Sequence, residues 1–150
     1  MSDSPDTGLL VRALHAEDVA ELLRLWKAAE LEYRPTGRDS VEQLSRQMET
    51  NPGGFIGAFD GSLMIGAILA SDDTRRGWIN RLAVHPDYRR RGIGQILIRE
   101  AEAELRRRGL QIIAALIEDS NTPSRGVFEA CGYTTMPEIL YYSKREHPDV

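Results

Sequence analysis

Apolar residues recur along this chain with two different periods, and each period predicts one kind of secondary structure. Spacing of three or four positions, which gives a helix one buried face, is found in four stretches: 15–33, 40–50, 92–108 and 123–131. Ser40 and Gln43 form a capping box at the start of the second stretch, and Gly132 follows the last one as a stop signal. The pattern therefore predicts about four helices.

Strands are predicted where β-branched and aromatic residues cluster between turn residues: 9–14, 55–59, 62–71, 78–84, 110–117, 133–135 and 139–144. Asp60 and Gly61 predict a tight hairpin turn. The 110–117 run is almost continuously apolar, as in a strand buried on both faces, and the helix before it makes it parallel to 78–84. The expected fold is α/β of the α+β type, with a mixed, mostly antiparallel sheet of about six to seven strands.

The segment 85–94, between a predicted strand and a predicted helix, has the features of an anion-binding loop. Arginines 89–91 add positive charge, and Gly92 and Gly94 remove Cβ atoms where the backbone turns tightly. Successive N–H groups can then point at one anion beside the positive end of a helix, which indicates a phosphate-bearing ligand. A Walker loop is excluded because no Gly-Lys-Ser/Thr follows, and Leu97 stands where a dinucleotide-binding loop needs a third glycine.

The sequence around this loop, LAVHPDYRRRGIG, closely resembles the acyl-coenzyme A signature of the GNAT superfamily of N-acetyltransferases. Arg89, Gly92 and Gly94 fit its Arg/Gln-x-x-Gly-x-Gly/Ala pattern, and the segment from Asn121 to Tyr133 resembles the closing GNAT motif. The resemblance lies near the branch that acetylates the N-terminal alanine of ribosomal proteins. It implies the GNAT fold, with a parallel pair of strands splayed at the coenzyme. It also implies direct transfer of an acetyl group from acetyl-coenzyme A to a primary amine.

The resemblance further implies a coenzyme site. In GNAT enzymes the loop amides hold the pyrophosphate, the preceding strand pairs with the pantetheine and polarises the thioester carbonyl, and an asparagine holds the pantetheine arm. Carried over to this sequence, the site comprises Leu82, Ala83, Val84, Arg89, Arg90, Arg91, Gly92, Ile93, Gly94, Gln95, Asn121 and Phe128. A plain helix cap is the alternative role for Asn121.

The catalytic positions implied by the resemblance are only partly filled. The tyrosine that usually acts as general acid is replaced by Phe128, which leaves Ser124 or Tyr133 as candidate acids. Members of the family carry a glutamate base where Trp78 or Leu116 stands here. Glu118 is the nearest substitute, on the same face as Leu116 if the strand continues.

The loop between the first two helices commonly lines the acceptor site in GNAT enzymes. By this resemblance Tyr33, Arg34 and Arg38 are candidate acceptor contacts, although a solvated polar loop explains each of them equally well. The acceptor is expected to be a small-molecule amine or a peptide N-terminus, with α-amines favoured because they lose a proton more easily than lysine side chains. A non-catalytic acyl-coenzyme A sensor is the alternative, since the usual tyrosine acid is missing.

Length and composition narrow the remaining possibilities. The 150 residues are expected to form a disordered leader at 1–7, one domain at 8–145 and a tail at 146–150. A formal net charge of −4 argues against general nucleic-acid binding. The single cysteine, Cys131, permits no internal disulfide and suggests a cytoplasmic protein. No apolar run is long enough to span a membrane; no metal is expected, and the chain should be a monomer or homodimer.

Overall fold

The computed structural model describes residues 3, 4 and 8–148, and its centre is one mixed β-sheet. Six strands lie in the sheet in the order of the sequence: β1 (Asp3–Ser4), β2 (Leu9–Ala13), β3 (Phe55–Asp60), β4 (Leu63–Asp72), β5 (Gly77–Val84) and β6 (Ile113–Ala115). Neighbouring strands are antiparallel except β5 and β6, which are parallel because a helix connects them. The predicted class and the mostly antiparallel sheet are confirmed.

The described residues form four α-helices, as predicted: α1 (Val19–Ala28), α2 (Val41–Thr50), α3 (Ile93–Arg107) and α4 (Thr122–Ala130). Ser40 caps α2, because its Oγ accepts a hydrogen bond from the backbone N–H of Gln43 at 3.2 Å. The first helix is shorter than its apolar pattern suggested. It follows a 3₁₀ turn, Ala16–Asp18, and stops before Glu30, whose φ of 59° is left-handed.

The sheet separates two hydrophobic cores. One face packs against α1 and α2 through buried side chains that include Leu22, Trp26 and Leu44. The other face packs against α3 and α4, where Leu97 and Phe128 are buried. Each helix buries one apolar face and leaves the other in solvent. The loop at 85–92, which contains a 3₁₀ turn at Pro86–Tyr88, joins the carboxyl end of β5 to the start of α3.

Two of the predicted strands, 133–135 and 139–144, are wrong, since neither is a strand in the part of the chain that the structure describes. Pro137 interrupts the segment, and the N–H of Ile139 donates to the carbonyl of Met136 at 3.1 Å in a turn. The sheet therefore has five strands of three or more residues, plus the two-residue β1, instead of the larger number expected.

The predicted strand 110–117 is reduced to Ile113–Ala115, and its expected burial on both faces is wrong. Ile112 and Leu116, at the two ends of this strand, are 57% and 54% exposed. The reason is that β6 has β5 on one side and no described strand on the other. A short apolar run does not by itself distinguish a central strand from an edge strand.

The expected leader, 1–7, lies outside the described residues apart from Asp3 and Ser4, which pair with Leu10 and Leu9. Residues 149 and 150 of the expected tail also lie outside them. Within 3–4 and 8–148, no helix is long and apolar enough to cross a membrane. The same residues contain no group of three or more His, Cys, Asp or Glu side chains that could hold a metal ion.

Candidate coenzyme and acceptor site

The loop between β5 and α3 has the backbone conformation of an anion-binding loop. Arg90 and Gly92 have positive φ angles of 65° and 78°, so the backbone changes handedness twice before α3 begins. The first backbone N–H that bonds back into the helix is that of Ile96, which donates to the carbonyl of Gly92 at 3.1 Å. The N–H groups of 93–95 precede it at the positive end of the helix, where they can donate to an anion.

Both glycines of this loop suit its geometry, for different reasons. Gly92 has a left-handed φ that strains a β-branched side chain, although an added Cβ would meet no atom within 4 Å. An added Cβ at Gly94 would lie 3.3 Å from Cγ1 of Val127, so this glycine lets α3 approach α4 closely. The loop fits the diphosphate of a coenzyme, because its amides can donate and no side chain at Gly92 blocks the approach.

The loop carries three exposed arginines, 89–91, which differ in their contacts with the rest of the protein. The Nε of Arg89 makes a long bond of 3.4 Å to the carbonyl of Val84. The guanidinium of Arg91 lies 5.0 Å from the centre of the Tyr88 ring. Among the residues the structure describes, none forms a hydrogen bond or ion pair with Arg90. The loop thus presents positive charge that the protein itself leaves largely unneutralised, as binding of a polyanion requires.

β5 is irregular where it approaches the loop. Its pairing with β4 shifts between Asn80 and Ala83, so that Arg81 and Leu82 together stand opposite one residue of β4. This β-bulge gives Arg81 a left-handed φ of 59°. For a residue other than glycine such a conformation costs about 1–2 kcal/mol. The extra residue of a bulge leaves the ladder, which makes backbone N–H groups available to a ligand.

The parallel pair of strands opens just before the bulge, as predicted. β6 pairs only with Gly77–Ile79, at the start of β5. From Asn80 to Val84, no described strand lies on this outer edge of β5. The backbone groups of this edge can therefore pair with an extended ligand such as the pantetheine arm of a coenzyme.

The side chain of Arg81 connects the bulge to the loop between α1 and α2. It donates to the carbonyl of Glu32 at 2.7 Å and to Oδ2 of Asp39 at 3.3 Å, and its guanidinium lies 4.3 Å over the ring of Trp26. Asp39 is 5% exposed and also accepts the backbone N–H of Arg34 at 2.7 Å. β5 and the loop between α1 and α2 are therefore joined by a largely buried ion pair.

The candidate acceptor contacts all lie on this loop: Tyr33, Arg34 and Arg38. Tyr33 is half-buried, whereas Arg38 is exposed and its Nε lies 3.9 Å from Oδ2 of Asp39. Arg38 lines two surface depressions of about 580 and 300 Å³, the second shared with residues of 141–146. The loop is attached to the bulge by Arg81, so the predicted acceptor residues and the predicted thioester strand meet in the folded chain.

Asn121 caps α4, because its Oδ1 accepts the backbone N–H of Ser124 at 3.2 Å. No described residue accepts a hydrogen bond from its amide nitrogen, which can still donate to a ligand. Glu118 is exposed, and its carbonyl accepts the N–H of Asn121 at 2.9 Å. The argument that Glu118 shares a strand face with Leu116 is wrong, because β6 ends at Ala115. A role for Glu118 as a base stays a prediction.

Phe128 and Tyr133 lie in the core beside α3. Phe128 is 4% exposed and meets the ring of Tyr133 edge-on, with the ring centres 5.1 Å apart. The hydroxyl of Tyr133 donates to Oε2 of Glu102 at 2.7 Å. Burial, followed by this hydrogen bond, raises the pKa of Tyr133 and makes its hydroxyl a weaker acid. A coenzyme contact for Phe128 and an acid role for Tyr133 stay predictions.

Sequence reasoning missed Arg81 and Asp39. The available signals were an arginine inside the apolar strand WINRLAV and an aspartate next to the cap residue Ser40. The two residues are 42 positions apart, so no local pattern relates them.

Comparison with known proteins agrees with this geometry. The family model described as "Acetyltransferase (GNAT) family" matches residues 18–133. An acetyltransferase of Sodalis glossinidius is 30% identical over 135 residues, which cover 90% of this chain and 94% of the relative.

Two solved structures share the fold, each with a TM-score of 0.75. The PaiA N-acetyltransferase of Thermoplasma acidophilum, in complex with coenzyme A, is 20% identical over 85% of this chain and 91% of its own. AAC(6')-Iy, in complex with a bisubstrate analogue, is 19% identical over 91% of this chain and 98% of its own. The chain therefore belongs to the GNAT family of acetyltransferases, with acetyl-coenzyme A as its co-substrate.

Proposed function

We propose that this chain acetylates the α-amino group of a peptide or of a small metabolite. The observation that carries the proposal is the environment of Asp39, the buried carboxylate that reaches the bulge of β5. It is already bonded to the guanidinium of Arg81 and to the backbone N–H of Arg34. Oδ2 of Asp39 therefore already has two donors, and the side chain is buried, so Asp39 does not lie open to an attacking amine as a general base must. A site without a strong base suits an amine that loses its proton easily.

The free energy of deprotonation separates the two common classes of biological amine. A lysine-like amine with a pKa of about 10.4 requires about 4.6 kcal/mol to become neutral at pH 7. An α-amine with a pKa of about 7.7–8.0 requires only about 1 kcal/mol. The difference of about 3.5 kcal/mol favours α-amines by between two and three orders of magnitude, on the order of 10^2.5, in the fraction that can attack.

In this proposal, backbone N–H groups and the neighbouring arginine side chains bind the coenzyme. Acetyl-coenzyme A supplies an activated acetyl thioester. The N–H groups of 92–95, with the arginines 89–91, bind the diphosphate, and the outer edge of β5 at 82–84 orients the pantetheine. An N–H of the bulge stabilises negative charge on the thioester oxygen. Asn121 donates its amide nitrogen to the pantetheine arm while its oxygen caps α4.

Proton transfer is the least demanding part of this proposal. A thiol leaving group with a pKa of about 8.5 departs unprotonated at pH 7 at a cost of only about 2 kcal/mol. Ser124 lies one helical turn before Phe128 on α4 and can donate a proton to the thiolate directly or through water. Glu118, exposed just before α4, is the candidate base and acts on the amine through a water molecule.

The acceptor contacts belong to the loop at 33–38. Tyr33 provides a half-buried ring, while Arg34 and Arg38 provide positive charge that suits a carboxylate or phosphate elsewhere in the acceptor. The likeness to AAC(6')-Iy supports a small-molecule amine as the acceptor, and the resemblance to the ribosomal-protein branch supports a peptide N-terminus. The single unpaired cysteine supports action in the cytoplasm.

Purified protein, acetyl-coenzyme A and three groups of acceptors at pH 7 test the proposal. The groups are peptides with a free α-amine, peptides with a blocked N-terminus and one lysine, and aminoglycosides. Release of coenzyme A gives the rate, and mass spectrometry locates the acetyl group. We expect the free α-amines to react fastest. Binding of coenzyme A without turnover of any acceptor would favour the sensor alternative instead.

A further inference from the structure

Arg81 is the residue at which the acetyl-donor strand and the acceptor loop of the proposed site meet. Its backbone forms the bulge of β5, with a left-handed φ of 59°. Its side chain reaches two points of the loop that follows α1, the carbonyl of Glu32 at 2.7 Å and Oδ2 of Asp39 at 3.3 Å. The two halves of the site therefore share one residue.

The surroundings of the guanidinium show that its position is tightly determined. Its side chain is 20% exposed, and the Asp39 side chain opposite it is 7% exposed. The ring of Trp26 covers one face of the guanidinium at 4.3 Å. Burial lowers the pKa of Arg81, and the neighbouring Asp39 carboxylate opposes that shift. Three contacts of different kinds fix a planar group in a way that a lysine ammonium cannot reproduce.

Asp39 transmits the position of Arg81 to the acceptor loop. Its carboxylate accepts the N–H of Arg34 at 2.7 Å and lies 3.9 Å from the Nε of Arg38. Within the loop, the N–H of Asp39 itself donates to the carbonyl of Arg34 at 3.0 Å. Residues 34–39 thus form a loop whose two ends are hydrogen-bonded to each other through Asp39. Arg81 attaches this loop to β5.

We propose that Arg81 is a positioning residue for the transfer reaction, which sets the distance between the acceptor amine on 33–39 and the thioester at the bulge. The side chain acts through Asp39 and the backbone of Glu32, without touching either substrate. The proposal rests on the proposed function in assigning the acceptor to this loop and the thioester to the bulge. Because misplacement by about 1 Å can cost about two orders of magnitude in rate, one residue that joins both halves controls the reaction geometry.

Arg12 provides a matched control. It also pairs with a buried aspartate, donating to the two oxygens of Asp18 at 2.8 and 2.9 Å. It also covers an aromatic ring, that of Phe59, at 4.3 Å. Arg12 lies on β2 and makes none of its recorded contacts with the loop at 33–39. Arg12→Ala therefore reproduces the loss of an ion pair and a cation–π contact without removing any recorded contact of the acceptor loop.

The first readout is amide hydrogen exchange by mass spectrometry, which needs no acceptor. Arg81→Ala should speed exchange at 33–40 by about tenfold, whereas Arg12→Ala should leave that segment unchanged and loosen 15–20. Asp39→Asn, which keeps the shape of the side chain, should loosen the same segment as Arg81→Ala. Unchanged exchange at 33–40 in Arg81→Ala overturns the proposal, even if the wild type acetylates none of the amines offered.

The second readout is steady-state kinetics with a peptide amide that begins with alanine as the acceptor. It compares the effect of each variant on the acceptor KM and kcat with its effect on the affinity for coenzyme A. Arg81→Ala should lower kcat/KM for the acceptor by about tenfold, through a higher KM, a lower kcat or both. The affinity for coenzyme A, measured by calorimetry, should stay within about twofold of wild type. Arg81→Lys should recover only part of the loss. Equal losses in Arg81→Ala and Arg12→Ala would show that Arg81 supports stability alone. Absence of turnover by the wild type counts against the proposed function and leaves the exchange result to decide on Arg81.

Discussion

The hydroxyl of Tyr133 donates a hydrogen bond to Oε2 of Glu102 at 2.7 Å, and this bond joins the end of α4 to α3. The same tyrosine ring lies edge-on to Phe128. A tyrosine whose proton is shared with a carboxylate, and whose pKa is raised, is held in its neutral form. Tyr133 therefore has an evident structural role, and its two packing partners explain why it occupies this position.

Replacing Tyr133 with phenylalanine should affect stability more than catalysis. The variant loses one partly buried hydrogen bond, and we expect the free energy of unfolding to fall by about 1 kcal/mol. The rate of coenzyme A release should stay within about twofold of wild type. Urea denaturation and an acetylation assay on the same preparation measure both quantities. A drop of tenfold or more in kcat with unchanged stability would make Tyr133 the missing acid.

A valine at Gly92 should prevent coenzyme binding without unfolding the domain. The left-handed φ of 78° is strained for valine, so the loop must change its conformation, and the amides that face the diphosphate move with it. Gly109→Val is the matched control, because Gly109 also has a left-handed φ, 87°, and open space around it, but lies at the other end of α3. Calorimetry with coenzyme A should show binding for the control alone.

Local patterns predicted those parts of the fold whose cause is local. The cap at Ser40 and the junction of β5 with α3 are each set by a few adjacent residues. The hairpin between β3 and β4 also forms, but Asp60 pairs with Leu63, so its two turn residues are Gly61 and Ser62 instead of Asp60 and Gly61. The segment 133–144 has the composition of strands, yet its backbone pairs with none of the described strands. Strand formation depends on an available partner, which composition does not reveal.

In the candidate site, too, the features with a local cause could be predicted from the sequence and those that depend on distant residues could not. The loop at 85–94 is one continuous segment with a distinctive spacing, so its tight backbone turn could be predicted from the sequence. The role of its residues in binding a coenzyme stays a prediction. The link between Arg81 and Asp39 depends on how α1 and its following loop pack on the sheet, which brings together residues 42 positions apart. The prediction for Glu118 depended on a strand length that proved too long.

Asn121 has two roles in the proposed site, as a helix cap and as a donor to the pantetheine. The substitution Asn121→Asp distinguishes these two roles. Asn121→Asp keeps an oxygen that can accept the N–H of Ser124, and a negative charge suits the start of a helix. The variant loses the amide nitrogen that should hold the pantetheine. We expect the melting temperature to stay near that of wild type while kcat/KM for acetyl-coenzyme A falls. Asn121→Ala should lose both the activity and about 0.5–2 kcal/mol of stability. Full activity in Asn121→Asp would reduce Asn121 to a helix cap.

Asp18 should make the stability of the domain depend on pH in the acid range. The hydrogen bonds from Arg12, followed by that from the N–H of His15, lower the pKa of Asp18 below its value in the unfolded chain. The stability that they contribute is present above the unfolded pKa of about 3.9, and it is lost as the pH falls through the lower pKa of the folded state. Urea denaturation between pH 6 and pH 3, chosen as about two units above and one below that value, should show a smaller decline for Asp18→Asn than for wild type. Equal declines would contradict this assignment, and Asp119→Asn, at an exposed side chain, provides the control.

The pH dependence of kcat/KM tests both the identity of the acceptor and the role of Glu118 as a base. For an α-amine, the rate should rise about tenfold per pH unit and level off near pH 8, where the amine becomes neutral. For a lysine side chain, the rise should continue towards pH 10. If Glu118 assists through water, Glu118→Gln lowers the α-amine rate at pH 7 and leaves the rate above pH 8 nearly unchanged.

The variant Phe128→Tyr measures how much a tyrosine acid at this position can accelerate the reaction. A thiolate that leaves unprotonated forgoes about 2 kcal/mol at pH 7, so restoring a hydroxyl there can accelerate the reaction by at most about thirtyfold. We expect a gain within that limit if expulsion of the thiolate is rate-limiting, and none if attack of the amine is. The gain should be the same for both classes of amine, because the hydroxyl acts on the leaving group. Faster acetylation of lysine side chains than of α-amines at pH 7, in wild type or in Phe128→Tyr, would show that a base other than Glu118 is at work and would defeat the α-amine proposal.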